Sequence, residues 1–169
     1  MQLPKRDNTF FSLIEAFETF LTQHEQVNGQ FFGTDEDIDL EVIDPTELPF
    51  VFIGFGNAQF DEGTASIDLE LVVADMVVEL PVEANRKFQT MTTQYQTLQI
   101  LRDCVALLKN HDGVNTPVKK FIRRADLSLP VTANPFTAKY KEHMVGWLTT
   151  VTITMDNEND LCLVPTASE

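Results

Sequence analysis

Residues 146–155 read Gly-Trp-Leu-Thr-Thr-Val-Thr-Ile-Thr-Met, the most regular alternation in the chain. Trp147, Thr149, Val151, Ile153 and Met155 fall on one side of a two-residue period, and Leu148, Thr150, Thr152 and Thr154 on the other. One side is mainly apolar and the other carries hydroxyls, which is the signature of a strand with one face against a core. β-Branched residues suit a pleated surface and threonines solvate the outer side without adding charge, so the stretch predicts a long strand with a sheet neighbour. Asp156-Asn157-Glu158-Asn159-Asp160 then stops it with turn-forming residues. The strand speaks to fold; no reactive constellation lies in it.

Toward the N-terminus, Asn134-Pro135-Phe136 reads as a strand break and residues 137–145 as a helical turn or loop. Farther out, Phe121, Ala125, Leu127 and Leu129 share a phase within 118–131, while Lys119, Lys120, Arg123 and Arg124 make the strongest basic cluster. Residues 92–110 predict a helix: Tyr95, Leu98, Leu101, Val105 and Leu108 form a stripe that Ile100, Cys104 and Leu107 widen. Thr93 and Gln96 fit a capping box, and Asn110-His111-Asp112-Gly113 ends the pattern.

In the first half, Phe10, Leu13, Ile14, Phe17, Phe20 and Leu21 recur at helical spacing within 7–27, with Asn28-Gly29 as the stop. Residues 30–49 read as an acidic connection in which Ile38, Leu40 and Val42 alternate with Asp37, Asp39 and Glu41, an edge strand or an extended arm. Residues 50–55 form a short apolar strand, and Gly54 and Gly56 mark a bulge or a tight exit. Ile67, Leu69, Leu71 and Val73 then alternate with Ser66, Asp68, Glu70 and Val72 before the apolar phase moves to Met76, Val78 and Leu80. A bulge near Ala74-Asp75 would account for that change. The sum is one α+β domain over 1–169, in the order α-β-β-α-β-β, with a mainly antiparallel twisted sheet packed on two helices and a short tail at 161–169.

The 169 residues carry a formal charge of −14. Residues 1–83 hold 18 acidic and 2 basic side chains, whereas 84–169 hold 8 acidic and 10 basic, so the balance is −16 against +2. Such a field repels phosphate backbones and disfavours sequence-specific nucleic-acid binding. It suits contact with basic patches, including a basic strip on another copy. The acidic Asp35, Glu36, Asp37, Asp39 and Glu41 and the basic Lys119, Lys120, Arg123 and Arg124 are the candidate subunit-interface residues. No stretch has the length or apolarity of a membrane span or a signal peptide, so a cytoplasmic, soluble chain is expected.

Motifs for chemistry are wanting. His24, His111 and His143 each lack a second ligand at metal spacing, there is no Cys-x-x-Cys, and no serine stands in a Gly-x-Ser-x-Gly elbow. Asp35, Asp37 and Asp39 imitate the opening of a calcium loop, but Leu40 stands where that loop needs glycine and Thr46 where it needs glutamate. Cys104 lies in an apolar helical pattern and Cys162 in the tail; two cysteines make no disulfide framework. No cofactor, metal or catalytic residue is assigned, and a non-enzymatic role is expected.

The order of elements, with Gly146-Trp147 opening an alternating strand and Asn159-Asp160-Leu161-Cys162 beyond it, resembles the tail terminator or tail completion (neck) proteins of tailed bacteriophages. Gly54-Phe55-Gly56, the 66–73 strand and Leu98-Gln99-Ile100-Leu101-Arg102-Asp103 extend the likeness, which covers most of 50–165 and leaves 26–49 unmatched. The resemblance implies a virion protein, assembled in the host cytoplasm as a homo-hexameric ring on the head-facing end of the tail tube. There it would end tube growth and meet the tube protein and the head-tail connector, with DNA passing through the ring. Gly146 and Trp147 are its markers. Two other readings stay open: an acidic DNA mimic that inhibits a basic DNA-binding protein, and another phage neck or tube subunit.

Overall fold

In the computed structural model, the described residues are 9–33, 44–77, 83–109, 125–139 and 143–156. They form two helices and a six-stranded mixed sheet, a single α+β unit. The elements are α1 (Thr9–Gln23), β1 (Gly29–Gly33), β2 (Phe50–Phe60), β3 (Thr64–Met76), α2 (Glu83–Lys109), β4 (Ala125–Leu127), β5 (Ala133–Lys139) and β6 (His143–Asp156). The order along the sheet is β1-β2-β3-β6-β4, with β5 also paired to β6.

β6 is the strand expected at 146–155, and the expected phase holds. Val151, Ile153 and Met155 are buried on the helix side, while Thr150 is exposed and Thr152 and Thr154 are half-buried on the other. All 13 residues of β3 pair with β6, from Thr64 opposite Asp156 to Met76 opposite Met144. On the hydroxyl side, Thr152 donates to Asp68 Oδ1 at 2.6 Å, and Ser66 and Thr154 share a hydrogen bond at 3.2 Å. These are directly opposed cross-strand pairs, so the threonines bind the neighbouring strand as well as water.

The core lies between the sheet and the helices. Phe17 and Leu21 of α1 and Ile100, Leu101, Cys104 and Leu108 of α2 cover Val51, Ile53, Leu69, Leu71, Val73, Val151 and Ile153. A second, smaller core sits on the opposite face at one end, where Leu48, Phe50, Phe52, Ala74 and Met144 gather Phe31, Val72, Met76 and Phe136. This second core corrects the expectation of a bulge near Ala74-Asp75. β3 runs on without a register shift, and the apolar phase changes because both faces of the sheet are covered there.

The register shift falls instead in β2, between Phe55 and Ala58, where three steps oppose two on β3. Gly56 and Asn57 lie in it, whereas Gly54 pairs in register with Glu70, so only the second glycine marks a bulge, and the strand continues to Phe60. Beyond the bulge every residue of β2 is exposed. The β2–β3 turn is closed by Asp61 N–H donating to the Thr64 carbonyl at 2.8 Å.

Several local expectations are overturned. The first helix ends at Gln23, and Gly29 opens β1, which pairs in parallel with β2; the rest of the sheet is antiparallel. β1 was legible only as connection because Gly-Gln-Phe-Phe-Gly is too short to show a period. Asn134-Pro135-Phe136 does not break a strand but lies within β5. β4 and β5 share one edge of β6, and proline, which cannot donate, is tolerated at a sheet edge. Leu127 opposes Ile153 and Ala133 opposes Thr149, six steps against four, so the two extra residues preserve the side-chain phase.

α2 begins nine residues before the expected Thr92, at Glu83, which places Thr93 inside the helix and buried rather than at a cap. Tyr95, expected in the core stripe, is exposed. The buried face of the early part of α2 is polar, with Thr93 and Thr97, so the periodicity of its apolar residues reports a different face.

Gly146 is the tightest point of the sheet. A Cβ there would run into the Val73 carbonyl and come within 2.9 Å of the Ala74 Cα, both backbone atoms that cannot rotate away. Gly146→Ala is therefore expected to cost about 3 kcal/mol by overpacking, read as a lower urea midpoint with an unchanged slope. An unchanged midpoint would mean that β3 and β6 lie farther apart here than described.

Candidate functional site

The candidate interface residues Asp35, Glu36, Asp37, Asp39 and Glu41, and Lys119, Lys120, Arg123 and Arg124, lie outside the described residues, as does most of the calcium-like stretch. Gly146 and Trp147 are in β6. The Trp147 indole N–H donates to the Gln94 carbonyl of α2 at 2.7 Å. The Thr97 hydroxyl, which also reaches the Gln94 carbonyl, has the Thr93 carbonyl as its nearer acceptor, so the indole takes the lone pair that the helix ladder leaves and fixes α2 against β6. Trp147 is thus half-buried and positional, a pin between layers.

His24 and Asp103 are the one histidine–carboxylate pair among the described residues. His24 Nε2 lies 3.2 Å from Asp103 Oδ2, while His24 Nδ1 accepts the Gln26 N–H at 3.2 Å. With Nδ1 accepting, the neutral ring carries its proton on Nε2 and donates it to Asp103. Both nitrogens are engaged, so neither is left to take a proton from a substrate. The ring also meets Phe20 edge-on at 5.5 Å between centroids. What the pair does is tie the end of α1 to α2.

Other reactive groups are similarly absorbed. Cys104 is buried in the main core, and burial, reinforced by the charge of Asp103, pushes its thiol up to about 12. A thiol in that setting is a packing residue, since nucleophiles need thiolate character. The buried hydroxyl of Thr97 donates to the Thr93 and Gln94 carbonyls, and that of Thr149 to the Thr132 carbonyl at 2.8 Å. Asp44 caps a short 3-10 turn at Pro45–Glu47, where the Thr46 N–H and hydroxyl hold its carboxyl below the usual range. Among the described residues no three His, Cys, Asp or Glu side chains group as metal ligands.

What remains unabsorbed is apolar surface. Phe88, Met91 and Tyr95 are 73%, 69% and 63% exposed, at i, i+3 and i+7 on α2. At about 100° per residue they form one stripe roughly opposite the buried Thr93, Thr97, Ile100 and Cys104 stripe, and so point away from the protomer. From Ala84 to Arg102 the helix carries Arg86, Lys87 and Arg102 and no carboxylate, a basic stretch on an acidic chain. At the tip of the β2–β3 hairpin Phe60 is 74% exposed beside the acidic Asp61-Glu62 turn. Sequence reading passed over both patches, although the 88, 91, 95 spacing was a usable signal for the first. Singly exposed apolar residues are ordinary, whereas three large ones in one stripe make a candidate contact face.

Compared with models of known protein families and with characterised proteins, the chain finds no match in either. No described helix is long and apolar enough to cross a membrane.

Asp75 provides a pH test of the fold around these surfaces. Burial raises its pKa and the Met76 N–H, which donates to Oδ1 at 2.7 Å, opposes the rise. A carboxyl that binds its proton more tightly folded than unfolded lowers stability as pH climbs from its unfolded value near about pH 4 through its folded one. Above that window the penalty is complete, and below it there is none. Asp75→Asn keeps the oxygen acceptor, so it is expected to raise the melting temperature at neutral pH and to lose that advantage in acid. A variant that melts lower at neutral pH would assign the charge a stabilising partner.

Proposed function

We propose that this protein is a non-catalytic structural subunit that works by assembling with copies of itself, as a ring at the head-facing end of a phage tail tube. There it would end tube growth and join the tube protein to the head connector. The observation that carries the assembly part is the outward apolar stripe Phe88, Met91, Tyr95 on α2, a surface of the kind that subunit contacts cover. The mixed α+β fold, with β6 at its centre, agrees with the resemblance to tail terminator proteins, and that resemblance alone supplies the phage setting. The engagement of His24, Cys104, Thr97 and Thr149 in internal contacts supports a structural rather than a chemical role. An acidic DNA mimic asks for carboxylates projecting freely along one face. Asp44, Asp68 and Asp103 are engaged by Thr46, Thr152 and His24, but Glu15, Glu18, Glu25 and Glu62 are exposed, so the mimic stays as the second reading.

The experiment is particle mass by light scattering with negative-stain imaging of the purified chain, followed by proteomic analysis of virions from a producing host. The expected result is closed rings near six times the 19.1 kDa chain mass, and the subunit present in virions. A compact monomer that displaces DNA from a basic protein would replace this reading with the mimic. Absence from virions would remove the phage role.

A further inference from the structure

Of the exposed large apolar residues, which also include Phe55, Leu129 and Leu148, the α2 stripe and Phe60 are the most exposed; they differ in charge setting and stand at opposite ends of the sheet. Trp147 pins Gln94 of α2 over the pairing of Val73 with Trp147, near the last residues of β3. From there α2 runs back along the sheet, packing on β3 and β6 and reaching β4, which pairs with the other end of β6. The Phe88–Tyr95 stripe therefore sits at the Met76 end of β3, while Phe60 and the Asp61-Glu62 turn sit beyond its Thr64 end. A 13-residue strand is about 40 Å long at roughly 3.3 Å per residue, so the patches cannot meet within one chain.

We infer that the Phe60 hairpin tip of one copy seats on the Phe88–Met91–Tyr95 stripe of the next, a head-to-tail contact between unlike surfaces. This inference rests on the assembly reading above and names the surfaces that would carry it. Charge chooses the pairing. Two stripes meeting about a two-fold axis would oppose Lys87 and Arg102 with themselves, and two hairpins would oppose Asp61 and Glu62 with themselves. Stripe against hairpin brings the Asp61-Glu62 turn to a helix stretch whose charges are all basic, with Lys87 beside Phe88, and buries aromatic surface on both sides. A contact between different faces leaves each copy with one of each kind unused, so it propagates. Such a contact gives a ring where the rotation between copies closes and a filament where it does not, with no further interaction type needed. The aromatic side chains are suited to anchor such a contact, being large and rigid.

The test uses the full chain in two variants, Met91→Glu with Tyr95→Glu on the stripe, and Phe60→Glu on the hairpin. All three positions are more than half exposed, so thermal melting followed by circular dichroism should be unchanged. Sedimentation velocity across a concentration series should show wild type assembling. Each variant alone should have its association weakened roughly tenfold or more. An equal mixture of the two should recover a discrete one-to-one pair, because each supplies the face that the other lacks. Independently of apolar burial, Lys87→Glu should weaken assembly, and adding Glu62→Lys in the same chain should restore it. Wild-type assembly with both variants assembling equally well would overturn the contact and leave the assembly reading standing. Variants that dissociate but do not pair on mixing would overturn the head-to-tail geometry. A wild-type chain that stays monomeric throughout would overturn assembly, and this contact with it.

Discussion

Everything in this fold hangs on the antiparallel pairing of β3 with β6. It engages every residue of β3 and brings the backbones so close at Gly146 that no side chain fits. Both strands are central, so β2 and β1 extend the sheet on one side and β4 and β5 on the other. α2 is fixed to the same pair by the Trp147 indole, and the main core closes between them. The pairing is long in sequence separation and late in the chain, so the sheet is completed only when β6 arrives beside β3.

Legibility in the sequence followed from how many faces each element buries. β6 could be read because it buries one face and hydroxylates the other, and the two-residue period survives intact. β3 could be read up to Val73 and then misled, because a second core covers its other face and alternation no longer reports sidedness. The later part of α2 was visible through Ile100, Leu101, Cys104 and Leu108, but the first part buries threonines and displays aromatics, inverting the usual sign of the pattern. β1 is too brief to carry a period, and Pro135 hid β5 because its edge position is a tertiary fact.

The same inversion hides the outward stripe of α2 from the sequence pattern. Tyr95 is spaced from Leu98 and Leu101 as a core residue would be, yet it shares its exposed face with Phe88 and Met91. The charge layout was legible, and the described residues give it local form: a carboxylate-free stretch of α2 at one end and an acidic hairpin at the other. Polar chemistry has been turned inward as joinery. Trp147 with Gln94 connects β6 to α2, His24 just beyond α1 meets Asp103 of α2, and Thr149 of β6 meets Thr132 just before β5.

The β3–β6 pair is the scaffold, and the hairpin tip is a projection from it. Hydrogen exchange followed by mass spectrometry on the intact chain tests that division directly. Amides of β3 and β6 should exchange only through global unfolding, while those of β2 beyond the Gly56 bulge should exchange by local opening. Exchange of β6 amides ahead of those in α1 would contradict the account.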